Sequence, residues 1–257
     1  MISVVIPSYK DPLLHKTIDS LLDNSEGVIE IIPVIDGYEL KKPFREDKRI
    51  KPVILKKNVG MRGAINAGVS ASHGKYIMRV DEHCMFGSGY DVKLLQYIHD
   101  NWIVTPRRYK LDAVKWEVMN DLHIDYEKLI IVQPRNKFAS VPWRSRDVDR
   151  AHIMLDEKMA MQGSCWLMSR KHWDTVIKEL QSEGYGTHYQ DSIEMTFKTW
   201  KAGGMLMLNK YTWYAHKHRK FPRTHNIKRD SSDASFKYSL GIWGDYYKKV
   251  IKPRWEL

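Results

Sequence analysis

The sequence predicts an α/β protein with a mostly parallel, doubly wound sheet flanked by helices. Three observations carry this. Short apolar, β-rich runs alternate with segments of helical period over about the first 80 residues, each run ends in a polar cluster, and no internal repeat suggests another architecture. Residues 2–7 form the first strand, stopped by Pro7-Ser8-Tyr9. Leu13, Leu14, Thr17, Ile18, Leu21 and Leu22 then repeat at helical spacing. A second strand over 29–35 stops at Asp36-Gly37, a third covers 52–55, and a small-residue helix over 61–71 leads into a fourth strand over 76–80. In such sheets ligands bind beyond the carboxyl ends of the strands, here Pro7 to Tyr9, Asp36-Gly37 and Asp81-Glu82-His83.

After residues 102–106 the alternation fades, and 107–158 reads as an irregular insertion. A strand over 159–169, a helix over 171–182 and a second helix over 191–202 closed by Gly203-Gly204 restore order. Beyond 205–208 the chain is basic and aromatic with no clear period.

The chain has 257 residues, 43% of them apolar and 28% charged, enough for a substantial core. No run approaches a membrane span and the N-terminus lacks a basic lead, so no signal peptide or anchor is expected and the expected location is the cytoplasm. Cys84 and Cys165 are the two cysteines, which excludes a disulfide framework and a Cys-rich zinc module. The net charge is +11, and residues 210–257 carry +8 of it. An anionic partner follows.

The segment Tyr76-Ile77-Met78-Arg79-Val80-Asp81-Glu82-His83 delivers two acids and an imidazole to a strand end. Asp81 and His83, two apart, share a face of a continued strand. A carboxylate with an imidazole suits a divalent cation such as Mn2+, which neutralises a diphosphate. Taken alone, the triplet also fits an ordinary strand-end turn. Asp191 and Glu194 lie on one face at the start of a helix, placed for catalysis or simply for favourable interaction with the helix dipole. Trp166, Trp173 and Trp200 fall at core positions, and Cys84 reads as a packed thiol. Asn58-Val59-Gly60-Met61-Arg62-Gly63 lacks the Lys-Ser/Thr of a P-loop, which disfavours ATPase chemistry.

Four ordered motifs resemble the nucleotide-sugar half of GT-A glycosyltransferases of the family 2 type. They are Ser3-Val4-Val5-Ile6-Pro7-Ser8-Tyr9, the helix around Thr17 to Asn24, Val34-Ile35-Asp36-Gly37, and the stretch from Asn58 to Gly68 running on to Asp81. The resemblance implies a Rossmann-like GT-A fold that binds a UDP-sugar. It puts Pro7 and Tyr9 beside the nucleotide, Asp36 at the base, Arg62 and Asn66 near the nucleotide or sugar, and Asp81 to His83 at the metal, Mn2+ first and Mg2+ second. The usual second acid of Asp-x-Asp is His83 here. That departure is similar to the Asp-x-His motif of the polypeptide N-acetylgalactosaminyltransferases. Met159 to Arg170 with His172-Trp173 looks like their acceptor-side strand, and Tyr189 to Gly204 like their acid-bearing helix. The match makes His216 of Tyr214-Ala215-His216-Lys217-His218 the third metal ligand, with His218 as the alternative if the register slips by two. Asp191 and Glu194 then become catalytic candidates, as base toward the acceptor or as contact to the donor sugar; the sequence alone does not choose.

The reading is thus a single GT-A domain over 1–257, with a nucleotide-sugar half (1–106), an acceptor half (107–209) and a basic closing tail (210–257). It moves a sugar from a UDP-sugar to a hydroxyl. Interleaved Lys, Arg and aromatic residues in the tail suit a phosphate backbone with stacked bases, so a hydroxylated DNA base is one expected acceptor, as in modifying enzymes that some bacteriophages encode. Polysaccharide, protein and lipid-linked acceptors are the alternative, and an inactive sugar- or nucleic-acid-binding module is the reading from another class.

Overall fold

A computed structural model describes residues 1–218 and 232–256. Its strands are β1 (Ile2–Ser8), β2 (Ile29–Asp36), β3 (Val53–Leu55), β4 (Tyr76–Val80), β5 (Cys84–Phe86), β6 (Trp102–Asp112), β7 (Glu117–Val118), β8 (Glu127–Val132), β9 (Lys137–Pro142), β10 (Leu155–Glu157), β11 (Cys165–Ser169) and β12 (Met205–His216). The helices are α1 (Leu14–Asn24), α2 (Gly60–Ser70), α3 (Tyr90–Leu95), α4 (Arg144–Asp149), α5 (Arg170–His172), α6 (Asp191–Lys201), α7 (Ser232–Tyr246) and α8 (Lys252–Arg254). One large sheet runs β10-β12-β6-β11-β4-β1-β2-β3, with β5 added on β12 and β7 on β6; β8 and β9 form a separate hairpin.

The first half follows from the sequence pattern. β4, β1, β2 and β3 are parallel neighbours, with α1 crossing from β1 to β2 and α2 from β3 to β4. Every residue of β1 and β2 is buried, as expected for strands covered on both faces. Val5 packs with Val34, Ile65 and Ile77 on one face, while Val4 and Ile6 pack with Ile18 and Leu21 on the other. A Cβ at Gly68 of α2 would lie 2.4 Å from Val5 Cγ1, so glycine is what lets α2 press onto β1. No helix among the described residues is long and apolar enough to cross a membrane.

Four expectations need correction. Residues 107–158 are largely ordered: β6 runs on to Asp112, and the hairpin, α4 and β10 follow. Its strands are disguised because buried ion pairs replace apolar alternation. Arg108 pairs with Glu127 at 3.1 Å, Lys158 with Glu127 at 3.2 Å, and Arg107 with Asp125 at 2.7 Å. The strand expected over 159–169 starts only at Cys165, although Met159, Ala160 and Met161 before it are buried. The helix expected over 171–182 is α5 plus a π-helical turn, Trp173–Ile177, halted by Lys178 at φ +63°.

The fourth correction concerns the tail. β12 continues to His216, and α7 with a π-helical turn, Tyr247–Ile251, packs on α6 and β9. Trp243 stacks on Phe197 at 5.2 Å and Tyr247 donates to the Leu129 carbonyl at 2.8 Å. Phe236, Trp243, Tyr247 and Ile251 are buried at spacings of seven, four and four, a helical stripe hidden among lysines. These aromatics are core residues and not surfaces on which bases stack. Trp166, Trp173 and Trp200 are buried too, and Cys84 is a packed free thiol whose pKa burial pushes up.

His172 gives the fold a pH dependence. It is buried, its Nε2 lies 2.9 Å from Thr199 Oγ1, and burial pushes its pKa down from 6.5 to about 4. Between those values the unfolded chain binds a proton that the folded chain does not. Stability is therefore intact above about pH 6.5 and falls toward pH 4, by about 3 kcal/mol from this residue. Urea unfolding of His172→Gln is expected to show a shallower acid slope than the parent; identical slopes would remove His172 as the cause.

Candidate metal and donor site

The carboxyl ends of β1, β2 and β4 face one region, and β12 brings its own end there by pairing with β5. His216 is opposite Cys84, next to His83. Asp81, His83 and His216, which are 135 residues apart at the extremes, converge in consequence. His216 Nε2 is 3.1 Å and His83 Nε2 3.9 Å from the same Asp81 Oδ2, and the two rings stand 4.9 Å apart. Their ligand atoms all lie within 4.8 Å of one another. One carboxylate and two imidazoles fit a Mn2+-type cation. Burial pushes His216 down to about 4 despite its bond to Asp81, so the ring is neutral at pH 7. Burial opposes ionisation of Asp81 too, but the buried Arg79 guanidinium, 2.6 Å away, and the two imidazoles hold it well below the usual carboxylate range.

Asp11 is a functional candidate that the sequence reading missed. Its Oδ2 is 3.1 Å from His83 Nδ1, and both side chains are 4% exposed. The other oxygen accepts from Leu13 N at 2.8 Å, which fixes the carboxylate at the start of α1. With Nδ1 committed to Asp11, the His83 lone pair at Nε2 is turned toward Asp81, the carboxylate–histidine arrangement of metal sites. Burial opposes a charged ring, but the bond to Asp11 and the charges of Asp81 and Glu82 raise the His83 pKa. The only signal in sequence is an acid two residues after Tyr9, with nothing local to tie it to His83. Glu82, adjacent to the metal motif, accepts from Tyr9 N at 3.0 Å and so ties the loop after β1 to the end of β4.

Asp36 sits at the end of β2, as expected, but both its oxygens are engaged. Val59 N and Gly60 N donate to it at 2.7 and 2.9 Å and Asn58 Nδ2 at 2.6 Å, so it caps α2. The turn depends on Gly37 at φ +69°, where a Cβ would fall 2.0 Å from Asn58 N. Burial raises the Asp36 pKa against the pull of the two backbone bonds. Pro7 is the penultimate residue of β1, and Tyr9 meets Tyr38 edge-on at 5.9 Å, with Lys10 over its ring.

Arg62, Asn66 and Glu194 are engaged within the protein. Arg62 and Glu194 are fully buried and bonded to each other, Arg62 also donates to the Gln181 and Tyr189 carbonyls, and Lys198 pairs with Glu194 at 2.7 Å. Asn66 exchanges two bonds with the Leu180 backbone. All three clamp the 178–190 loop between α2 and α6, a structural role beside the nucleotide role expected of Arg62 and Asn66 and the catalytic role expected of Glu194. Charges hidden in a structural clamp look, in sequence, like charges in a site. Asp191 differs from them. It starts α6, its Oδ2 is buried with no hydrogen-bond partner among the described residues, and a Cβ at Gly163 would lie 2.7 Å from that oxygen. Beside it opens a cleft of about 230 Å3 between β9 and the 161–163 turn. Arg79 feels the charges of both Asp81 and Asp191 and links the two places.

A doubly wound sheet here collects a carboxylate and two imidazoles at its carboxyl edge, where ligands of such sheets bind and where the three groups could hold a cation. The chain belongs to glycosyl transferase family 2, whose family model matches residues 3–176. Over 98% of its length it is 23% identical to human polypeptide N-acetylgalactosaminyltransferase 12 and 24% identical to the mouse polypeptide N-acetylgalactosaminyltransferase 4, covering 45% of each. The chain thus spans about half the length of these curated relatives. An uncharacterized glycosyltransferase of Bacillus subtilis, EpsJ, is 38% identical over 88 residues, 32% of this chain and 25% of that one. Among solved structures, a crystal structure of GalNAc-T7 with UDP, GalNAc and Mn2+ shares the fold at a TM-score of 0.77, with 17% identity, over 98% of this chain and 50% of that one.

Proposed function

We propose that this chain transfers a sugar from a UDP-sugar to an acceptor hydroxyl with a divalent cation, Mn2+ before Mg2+. The observation that carries the reading is the convergence of Asp81, His83 and His216 at the carboxyl edge of a family 2 fold. The UDP and Mn2+ of the GalNAc-T7 structure support it. Bound there, the cation supplies positive charge to the leaving diphosphate. The protein's own residues do the rest. Asp11 holds the His83 ring, Arg79 keeps Asp81 ionised, and Pro7, Tyr9 and the Asp36 turn border the nucleotide. In this reading residues 1–106 serve the donor and 107–209 the acceptor.

Asp191 is the catalytic candidate, because its unsatisfied buried oxygen needs a hydroxyl from donor sugar or acceptor. Asp191→Asn is expected to leave UDP binding intact while turnover falls roughly 100-fold or more. Unchanged turnover removes the role.

For the acceptor, a hydroxylated DNA base keeps the support of the +8 charge on residues 210–257 but loses that of the buried aromatics. Lys228 and Arg229, whose reversal probes this surface, lie outside the described residues, as does part of the basic run. The deciding experiment measures UDP release from a panel of UDP-sugars with Mn2+, with and without DNA bearing hydroxymethylated bases. DNA-dependent release of one sugar establishes donor and acceptor together. Hydrolysis unaffected by DNA supports the donor half and assigns the acceptor to glycans, proteins or lipids; no release from any UDP-sugar overturns the proposal.

A further inference from the structure

Seven of the chain's nine tryptophans pack in or against the two hydrophobic cores, and Trp116 and Trp213 belong to neither. Both line one open cleft of about 550 Å3 on the flank of the molecule, between α1, the end of β5 and the turn joining β6 to β7. The volume is that of a small-molecule site. Trp116 is held at φ +58°, a left-handed conformation that costs a bulky residue about 1–3 kcal/mol. Its N–H donates to the Asp112 carbonyl at 2.8 Å within the turn. Trp213 is fixed by edge-on contact with Tyr109 at 5.9 Å and by Gly87, where a Cβ would lie 2.7 Å from its Nε1.

The facing wall is polar. Asp19, Asp23 and Asn24 come from α1, and Ser88 follows β5. Arg45 bonds one oxygen of each carboxylate, at 3.4 and 2.8 Å, which steadies them while leaving further lone pairs on both. Their side chains remain 47% and 60% exposed. Lys16 lies 5.2 Å over the Trp116 ring.

We infer that this cleft binds a neutral saccharide. A pyranose ring has an apolar C–H face and a rim of hydroxyls, and the cleft offers indole rings on one side and paired carboxylates with an amide on the other. The charges here balance, Asp19 and Asp23 against Lys16 and Arg45, which suits a neutral ligand better than a phosphate backbone, and an apolar ligand would leave the polar wall desolvated. The cleft does not include the metal cluster. Trp213 stands three residues before His216 on β12, roughly 10 Å along the strand at about 3.3 Å per residue, an odd offset that turns the two side chains to opposite faces. The inference does not rest on the transferase reading, because it concerns binding without donor or metal.

The test is calorimetric and fluorescence titration of the protein, free of UDP and Mn2+, with chitotetraose, cellotetraose, maltotetraose and mannotetraose. Saturable binding of at least one is expected, weakened roughly tenfold or more by Trp116→Ala and by Trp213→Ala. Should Trp213→Ala unfold, Trp213→Phe and the turn variant Trp116→Ala still decide the matter. UDP binding in the presence of Mn2+ is expected to stay unchanged in Trp116→Ala, which separates this cleft from the donor site. Failure of all four sugars to bind, or binding indifferent to both tryptophans, overturns the inference.

Discussion

Mn2+-promoted UDP binding is expected to disappear in His83→Ala and in His216→Ala. In the proposed site each substitution takes one of three candidate ligands, Asp81, His83 and His216, and leaves two groups to hold the cation. Asp11→Ala is a graded control. It leaves all three ligands but releases His83 Nδ1 from its 3.1 Å partner, so Mn2+ affinity is expected to fall roughly 10–100-fold without vanishing. Calorimetry of Mn2+ and of UDP with and without Mn2+, together with imidazole NMR signals, reads the series independently of turnover. Full UDP affinity with undiminished Mn2+ dependence in both histidine variants would remove the metal site. A loss at His216 alone would move the second imidazole ligand away from His83.

Glu194→Ala is expected to be the most destabilising single change in the clamp between α2 and α6. Glu194 and Arg62 are both wholly buried, and Lys198 shares the carboxylate. Removing the acid strands the Arg62 guanidinium, whose pKa burial already lowers, in a place without water. Breaking a buried pair by deleting one partner costs about 3–5 kcal/mol. Thermal unfolding is thus expected to begin some 10 °C lower, at roughly 2–4 °C per kcal/mol for a chain of this size. Asp191→Asn, one turn away, is expected to leave the melting temperature in place while activity drops. A stable Glu194→Ala with impaired turnover would reverse the roles given to the two acids.

These two results bear on what the chain states openly. Alternation of apolar strands with amphipathic helices up to Val80 is local information, so β1 to β4 with α1 and α2 were legible, as were Asp36 at a strand end and Asp81 at the end of β4. From Arg107 onward the pattern fails for a physical reason. Buried charges such as Arg108, Glu127, Lys158 and Lys210 are satisfied by partners distant in sequence, and a partner is invisible in a string of residues. The same blindness hid α7, whose buried stripe is aromatic and flanked by lysines.

The sequence by itself determined the fold class, the family likeness and which residues at the strand ends bear chemistry. The family likeness already grouped His216 with Asp81 and His83, and the tertiary structure decided how such residues come to share a place. It set His216 beside His83 through the pairing of β12 with β5, brought Asp11 behind His83, and left the Asp191 oxygen open while closing Arg62, Asn66 and Glu194 into a clamp. Secondary structure is written in periodicities of two and 3.6 residues, which neighbours in the chain reveal. Whether a charge is a ligand or a strut depends on what packs against it from far along the chain.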